Sequence, residues 1–117
     1  VIYKLLPATA WAEAQVRGRY DGSEVDRRDG FIHLSGHDQV VETAARHFAG
    51  QAGLVLLTVD PGRLGDALRW EPSRGGALFP HLYSPLPAEA VVAAEPVAEN
   101  VGVADAVAAL LTLRSNQ

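Results

Sequence analysis

Apolar side chains come in short blocks along this chain, cut by glycine, proline and acidic residues. Residues 1–6 are β-branched, aromatic and aliphatic, which predicts a strand, and residues 7–17 form an alanine-rich block stopped by Gly18, which predicts a helix. A polar segment runs over residues 19–30. Residues 31–35 are short, aromatic and aliphatic after a glycine and read as a second strand. Ser35 with Asp38 three positions on makes a shortened capping box, so the next helix is expected to start there. Val40, Val41, Ala44, Ala45 and Phe48 give it an apolar stripe at helical spacing, with Gly50 as the stop. The uninterrupted apolar run 54–59, between Gly53 and Asp60-Pro61-Gly62, predicts a central strand buried on both faces. Further strands are expected at 68–71 and 90–94, a turn-rich loop at 72–77, and a closing helix at 103–113. The helices are too few and too early for a regular βαβ array, so the expected class is α+β in a single domain, residues 1–117.

Composition narrows the function classes. A chain of 117 residues with 48% hydrophobic and 21% charged residues is typical of a packed globular domain. A domain of that size buries roughly two thirds of the surface its unfolded form exposes. The longest apolar stretch, 103–113, is interrupted by Asp105 and is too short to cross a bilayer. Absent a charged-then-apolar leader, a cytoplasmic location is expected. With no cysteine there is no disulfide or thiol chemistry, and any metal site would need His, Asp and Glu. A net charge of −4 without a basic run argues against non-specific binding to nucleic acid or anionic membranes. Even Arg27-Arg28 is flanked by Asp26 and Asp29 and reads as locally neutralised.

The candidate chemistry lies in a few polar boxes. In an extended chain Phe31, His33 and Ser35 share one face while Ile32 and Leu34 share the other, which sets an imidazole beside a hydroxyl. The pattern returns at Phe79-Pro80-His81-Leu82-Tyr83, where His81 and Tyr83 share a face. One such histidine is often only a satisfied core group; two near-copies make that reading weaker. Trp70 and Glu71 end a strand before Ser73-Arg74-Gly75-Gly76, whose amides and guanidinium suit an anionic group. Glu71 is a candidate base or stabiliser of a developing cation. Lys4, the only lysine, sits inside the first strand and so lies at an edge or points into a polar cleft. His33 and His37 are four apart but straddle a helix start and lack the glutamate of a zinc-protease helix, so no metal site is expected. Dinucleotide fingerprint, phosphate loop and nucleophile elbow are all missing.

Together, Ile2-Tyr3-Lys4-Leu5, Asp29-Gly30-Phe31-Ile32-His33-Leu34-Ser35 with Gln39-Val40, Trp70-Glu71 and Phe79-Pro80-His81-Leu82-Tyr83 resemble a bacterial family of unknown function. It is number 952 in the domain-of-unknown-function series. The resemblance implies an ADP-ribosyltransferase-like fold, with two packed, mostly antiparallel sheets and flanking helices around an NAD cleft. Carried over by position, Lys4 fills the first-strand role of a His or Arg that holds NAD, the 31–35 box supports the nicotinamide side, and Glu71 is the third-strand acid. The His33-Leu34-Ser35 segment is also similar to the His-Leu-Ser box of NAD-dependent RNA 2′-phosphotransferases.

These readings predict one polar cleft with His33, Glu71 and His81 as catalytic groups and Lys4, Ser35, Trp70, Arg74, Gly75, Gly76 and Tyr83 as ligand-binding groups. Its ligand is expected to be small and nucleotide-like, with NAD as the cofactor the resemblance implies. In the enzymatic form of this reading, a transferase or glycohydrolase, Glu71 stabilises positive charge on the sugar and His33 or His81 moves a proton. Arg74 with the Gly75 and Gly76 amides holds phosphate. The principal alternative is a non-catalytic binding module for a small anionic metabolite or a protein partner, and a metal-dependent hydrolase ranks third.

Overall fold

The computed structural model describes residues 1–115, apart from the side chains of Arg74, Arg114 and Ser115. Strand β1 (Ile2–Pro7) leads into helix α1 (Ala8–Arg17), for which Pro7 is the N-cap and Gly18, in the left-handed region at φ 83°, the C-cap. The polar segment 19–30 then forms a short strand, β2 (Arg19–Tyr20), and a short helix, α2 (Glu24–Asp29). A capping box does start a helix, but it is Ser23 with Asp26 on α2 and not Ser35 with Asp38.

The expected strand 31–35 is split into β3 (Ile32–His33) and β4 (Ser35–Gly36), because the chain changes partner at Leu34. Before that point it pairs with β7 (Leu78–Leu82), and after it with β1. Helix α3 (Val40–His47) starts later than expected and has no side-chain cap at Gln39, whose amide oxygen instead accepts the Gly36 N–H at 2.9 Å. It ends at Phe48, before Gly50. Strands β5 (Leu54–Val59), β6 (Leu68–Pro72), β8 (Leu86–Pro87) and β9 (Val91–Pro96) and helix α4 (Val103–Ser115) complete the described chain.

Every strand pairing is antiparallel, giving an α+β protein with a four-stranded sheet (β4-β1-β5-β9), a three-stranded sheet (β3-β7-β6) and a two-stranded ribbon (β2-β8). β5 is interior and buried at every position, as its apolar run predicts. Its side chains alternate between two cores. Val55, Leu57 and Val59 join Ile2, Leu6, Ile32, Leu34, Leu82 and Leu86 on one side, so this core fills the space between the large sheet and the small ones. Leu54 and Leu56 join Tyr3, Leu5, Val40, Ala44, Val103 and Val107 on the other side, under α3 and α4.

One irregularity positions the site. β4 pairs with β1 only at Ile2 and Tyr3, so from Lys4 onward that edge of β1 has no strand against it. A cleft opens there.

Candidate functional site

The cleft has a volume of about 620 Å³ and is lined by residues of β1, α2, β3, β4, α3 and β7, with Ser73 at its margin. Lys4 alternates with Tyr3 and Leu5 and so points to the side of the small sheets, where it is 8% exposed. Its ammonium donates to Asp26 Oδ2 at 3.1 Å and to the His33 carbonyl at 2.9 Å. Both sequence-based options for Lys4 are therefore realised, since it lies on an uncovered strand edge and lines the cleft.

Asp26 is the residue that sequence reading missed. It is 2% exposed and accepts from Lys4, from the Ser23 and His33 backbone N–H groups at 2.9 and 3.1 Å, and from His33 Nδ1 at 2.7 Å. Burial alone would raise its pKa, but the His33 hydrogen bond, the Lys4 charge and the two backbone donors outweigh it and hold the carboxyl far below the usual aspartate range. Asp26 therefore does not neutralise Arg27 at the surface; Arg27 instead donates to the Gly22 carbonyl at 2.8 Å. Asp29 does pair with Arg28, at 3.0 Å, and its other oxygen lies 3.0 Å from His33 Nε2. Burial is also the main reason that the Tyr20 phenol is pushed up to about 12, with the Asp26 charge adding to it.

His33 and His81 are direct cross-strand partners on β3 and β7 and both line the cleft. Their rings are 5.8 Å apart, and Phe31 stacks on His81 at 4.0 Å. The two Phe-x-His boxes thus meet as neighbouring strands. Glu71 touches the cluster from behind, with its Oε1 2.9 Å from His81 Nδ1 and accepting the Tyr83 hydroxyl at 2.6 Å. Those hydrogen bonds, Tyr83 first and His81 second, keep the Glu71 carboxyl below its ordinary value, and the same bond raises the Tyr83 phenol. Arg69 lies over the Tyr83 ring at 5.1 Å, a cation–π contact that the sequence did not signal.

The remaining candidates are arranged differently from the expectation. Ser35 lines the cleft, but its hydroxyl is 2.9 Å from Thr43 Oγ1 on α3, not beside His33, because the change of sheet at Leu34 breaks the alternation. Glu71 and Tyr83 are not among the lining residues. Neither is Trp70, which alternates to the other face of β6 and stands 49% exposed near Gly36. Gly75 and Gly76 form part of a 3-10 turn (Arg74–Gly76) and also do not line the cleft; the Arg74 side chain lies outside the described residues. His47 and Thr43, on α3, also line it, Thr43 without having been singled out. Among the described residues no group of three or more His, Asp or Glu side chains is arranged to hold a metal ion, and no helix is long and apolar enough to cross a membrane.

This fold and site define a small α+β domain class, and the family model described as "Protein of unknown function (DUF952)" matches residues 5–94, so the chain belongs to that family. The crystal structure of protein CC0527 from Caulobacter crescentus is similar, at 55% sequence identity and a TM-score of 0.77, covering 80% of this chain and 82% of that one. The solution NMR structure of CC0527 is similar too, at 53% identity and a TM-score of 0.74, covering 82% and 83%. No curated protein matches the chain.

Proposed function

We propose that this protein is an ADP-ribosyltransferase-like domain whose cleft takes a nucleotide-type ligand of the NAD class and acts at its glycosidic carbon. The observation that carries the reading is the meeting of His33 and His81 on paired strands at one cleft wall, each bound through Nδ1 to a carboxylate. A fixed imidazole–carboxylate pair is a common device for moving a proton, and two of them facing one cavity exceed what packing requires. The cleft volume of about 620 Å³ lies within the range of small-ligand sites, roughly 300–1,000 Å³.

Within this reading Lys4 does not meet the cofactor with a free charge, because Asp26 and the β3 backbone take its ammonium; its role is to hold the cleft wall. The position of Glu71 behind His81 favours a second reading, a binding module for a small anionic metabolite that does not consume its ligand. Thermal melts with NAD, ADP-ribose and inorganic phosphate, followed by chromatography of the nucleotide, separate the two. Stabilisation with release of nicotinamide is the expected result. Stabilisation of an unchanged nucleotide supports the binding module, and no shift with any of the three removes the nucleotide reading.

A further inference from the structure

We infer that His81, not His33, is the group that accepts a proton from a ligand hydroxyl or a water in this cleft, with Glu71 and Tyr83 as its positioning residues. The inference rests on the cleft being a site of chemistry, as proposed above, and assigns the proton to one ring nitrogen. Both ring nitrogens of His33 are committed, Nδ1 to Asp26 at 2.7 Å and Nε2 to within 3.0 Å of Asp29. Each nitrogen of that ring already faces a carboxylate, so neither is open to a ligand.

His81 differs. Glu71 Oε1 accepts the Tyr83 hydroxyl at 2.6 Å and faces His81 Nδ1 at 2.9 Å, and an ionised carboxylate can only accept. Nδ1 therefore carries the hydrogen, which leaves the lone pair of the neutral ring on Nε2. No partner among the described residues takes Nε2. Phe31, stacked at 4.0 Å, fixes the ring plane, and Arg69 over the Tyr83 ring helps hold the hydroxyl that anchors Glu71. In the step this supports, the oxygen of a ligand hydroxyl or water gives its proton to Nε2 and keeps the electron pair. The charge gained by the ring is offset by Glu71 through Nδ1. The ligand class is accordingly one that brings, or exposes to water, an oxygen nucleophile at the His81 wall.

The test is long-range proton–nitrogen NMR on protein labelled with ¹⁵N-histidine, which distinguishes the two tautomers of a neutral ring. His81 is expected to carry its proton on Nδ1. Glu71→Ala is expected to move it mainly to Nε2, the form an unconstrained imidazole prefers, whereas Tyr83→Phe keeps it on Nδ1 because Glu71 still accepts. A native His81 protonated on Nε2 overturns the assignment, as does an Nδ1 proton indifferent to Glu71→Ala in a variant with an unchanged circular dichroism spectrum. Should Glu71→Ala fail to fold, the native tautomer alone decides. Titration with ADP-ribose then separates this inference from the nucleotide reading: a selective shift at His81 Nε2 supports both, and a spectrum that ADP-ribose does not move counts against the nucleotide reading while the tautomer still decides the assignment.

Discussion

Asp26 concentrates more of the site's polar contacts than any residue singled out from the sequence. With Lys4 8% and Asp26 2% exposed, the pair is a buried ion pair, and removing one partner leaves a largely desolvated charge without its counter-ion. Asp26→Asn is therefore expected to cost about 3–5 kcal/mol, measured by urea unfolding. The pH dependence has a defined sign. The folded-state pKa of Asp26 lies below its unfolded value, so its contribution is complete above about 4 and is lost as pH falls from there toward the folded pKa. Acid titration of Asp26→Asn should lack this part of the loss. Leu34→Ala should cost roughly 2–5 kcal/mol because Leu34 is in the core, and His33→Ala, whose half-buried ring faces the cleft, should cost less in the same unfolding assay. Asp26 was hidden in the sequence because it stands among four consecutive charged residues and reads as their counter-charge. Two signals pointed to it: Ser23 three residues before it at capping-box spacing, and a lone lysine in a strand that required a buried partner.

At the level of elements, α2 is held in place by its turns. Gly22 has φ +103°, and a Cβ there would meet Asp26 Cβ at 2.9 Å, so the close approach of this turn to α2 requires glycine. Gly18 has φ +83° but nothing within 4 Å of the added atom. Gly18→Ala thus carries only the backbone penalty, about 1–3 kcal/mol. Gly22→Ala should lose more in the same chemical melt and should also disturb the Lys4–Asp26 pair, read as a changed amide shift of His33, whose N–H donates to Asp26. Equal losses for the two variants would show that the contact with Asp26 is unimportant. Local pattern revealed β1, α1, β5, β6, β9 and α4 to within a few residues, because each is a block of one periodicity with a breaker at its end. It did not reveal β2, α2 or the split between β3 and β4. Those elements are two to six residues long, and their limits are set by which strand lies alongside, as when Leu34 passes from β7 to β1. The two histidine boxes were legible as a pair because Phe31 stays beside His33 and the second box aligns His81 with it, but the alternation does not carry through the sheet change to Ser35.

Across the whole molecule, the large sheet is shared by two cores, and this has a consequence for unfolding. Leu56 and Leu57 are adjacent on β5 and both fully buried, yet Leu56 belongs to the core under α3 and α4 and Leu57 to the core that faces the small sheets. β5, like its neighbour β1, sends side chains into both cores from the sheet that lies between them. The two cores should therefore melt together even though they share no side chain. Leu56→Ala and Leu57→Ala are each expected to cost about 2–5 kcal/mol. In both variants a single transition should be seen, and Trp11 makes this measurable because it packs against the Leu57 core while α3 and α4, on the other side, carry much of the helical circular dichroism signal. Tryptophan fluorescence and far-ultraviolet circular dichroism should give coincident urea curves in the native protein and in both variants, with Trp70, half-exposed on β6, adding little to the change. Separation of the two curves in Leu56→Ala, with helix lost before the Trp11 signal moves, would mean that α3 and α4 form an independent layer and that the cleft wall they contribute through Thr43 and His47 can open without unfolding the histidine wall.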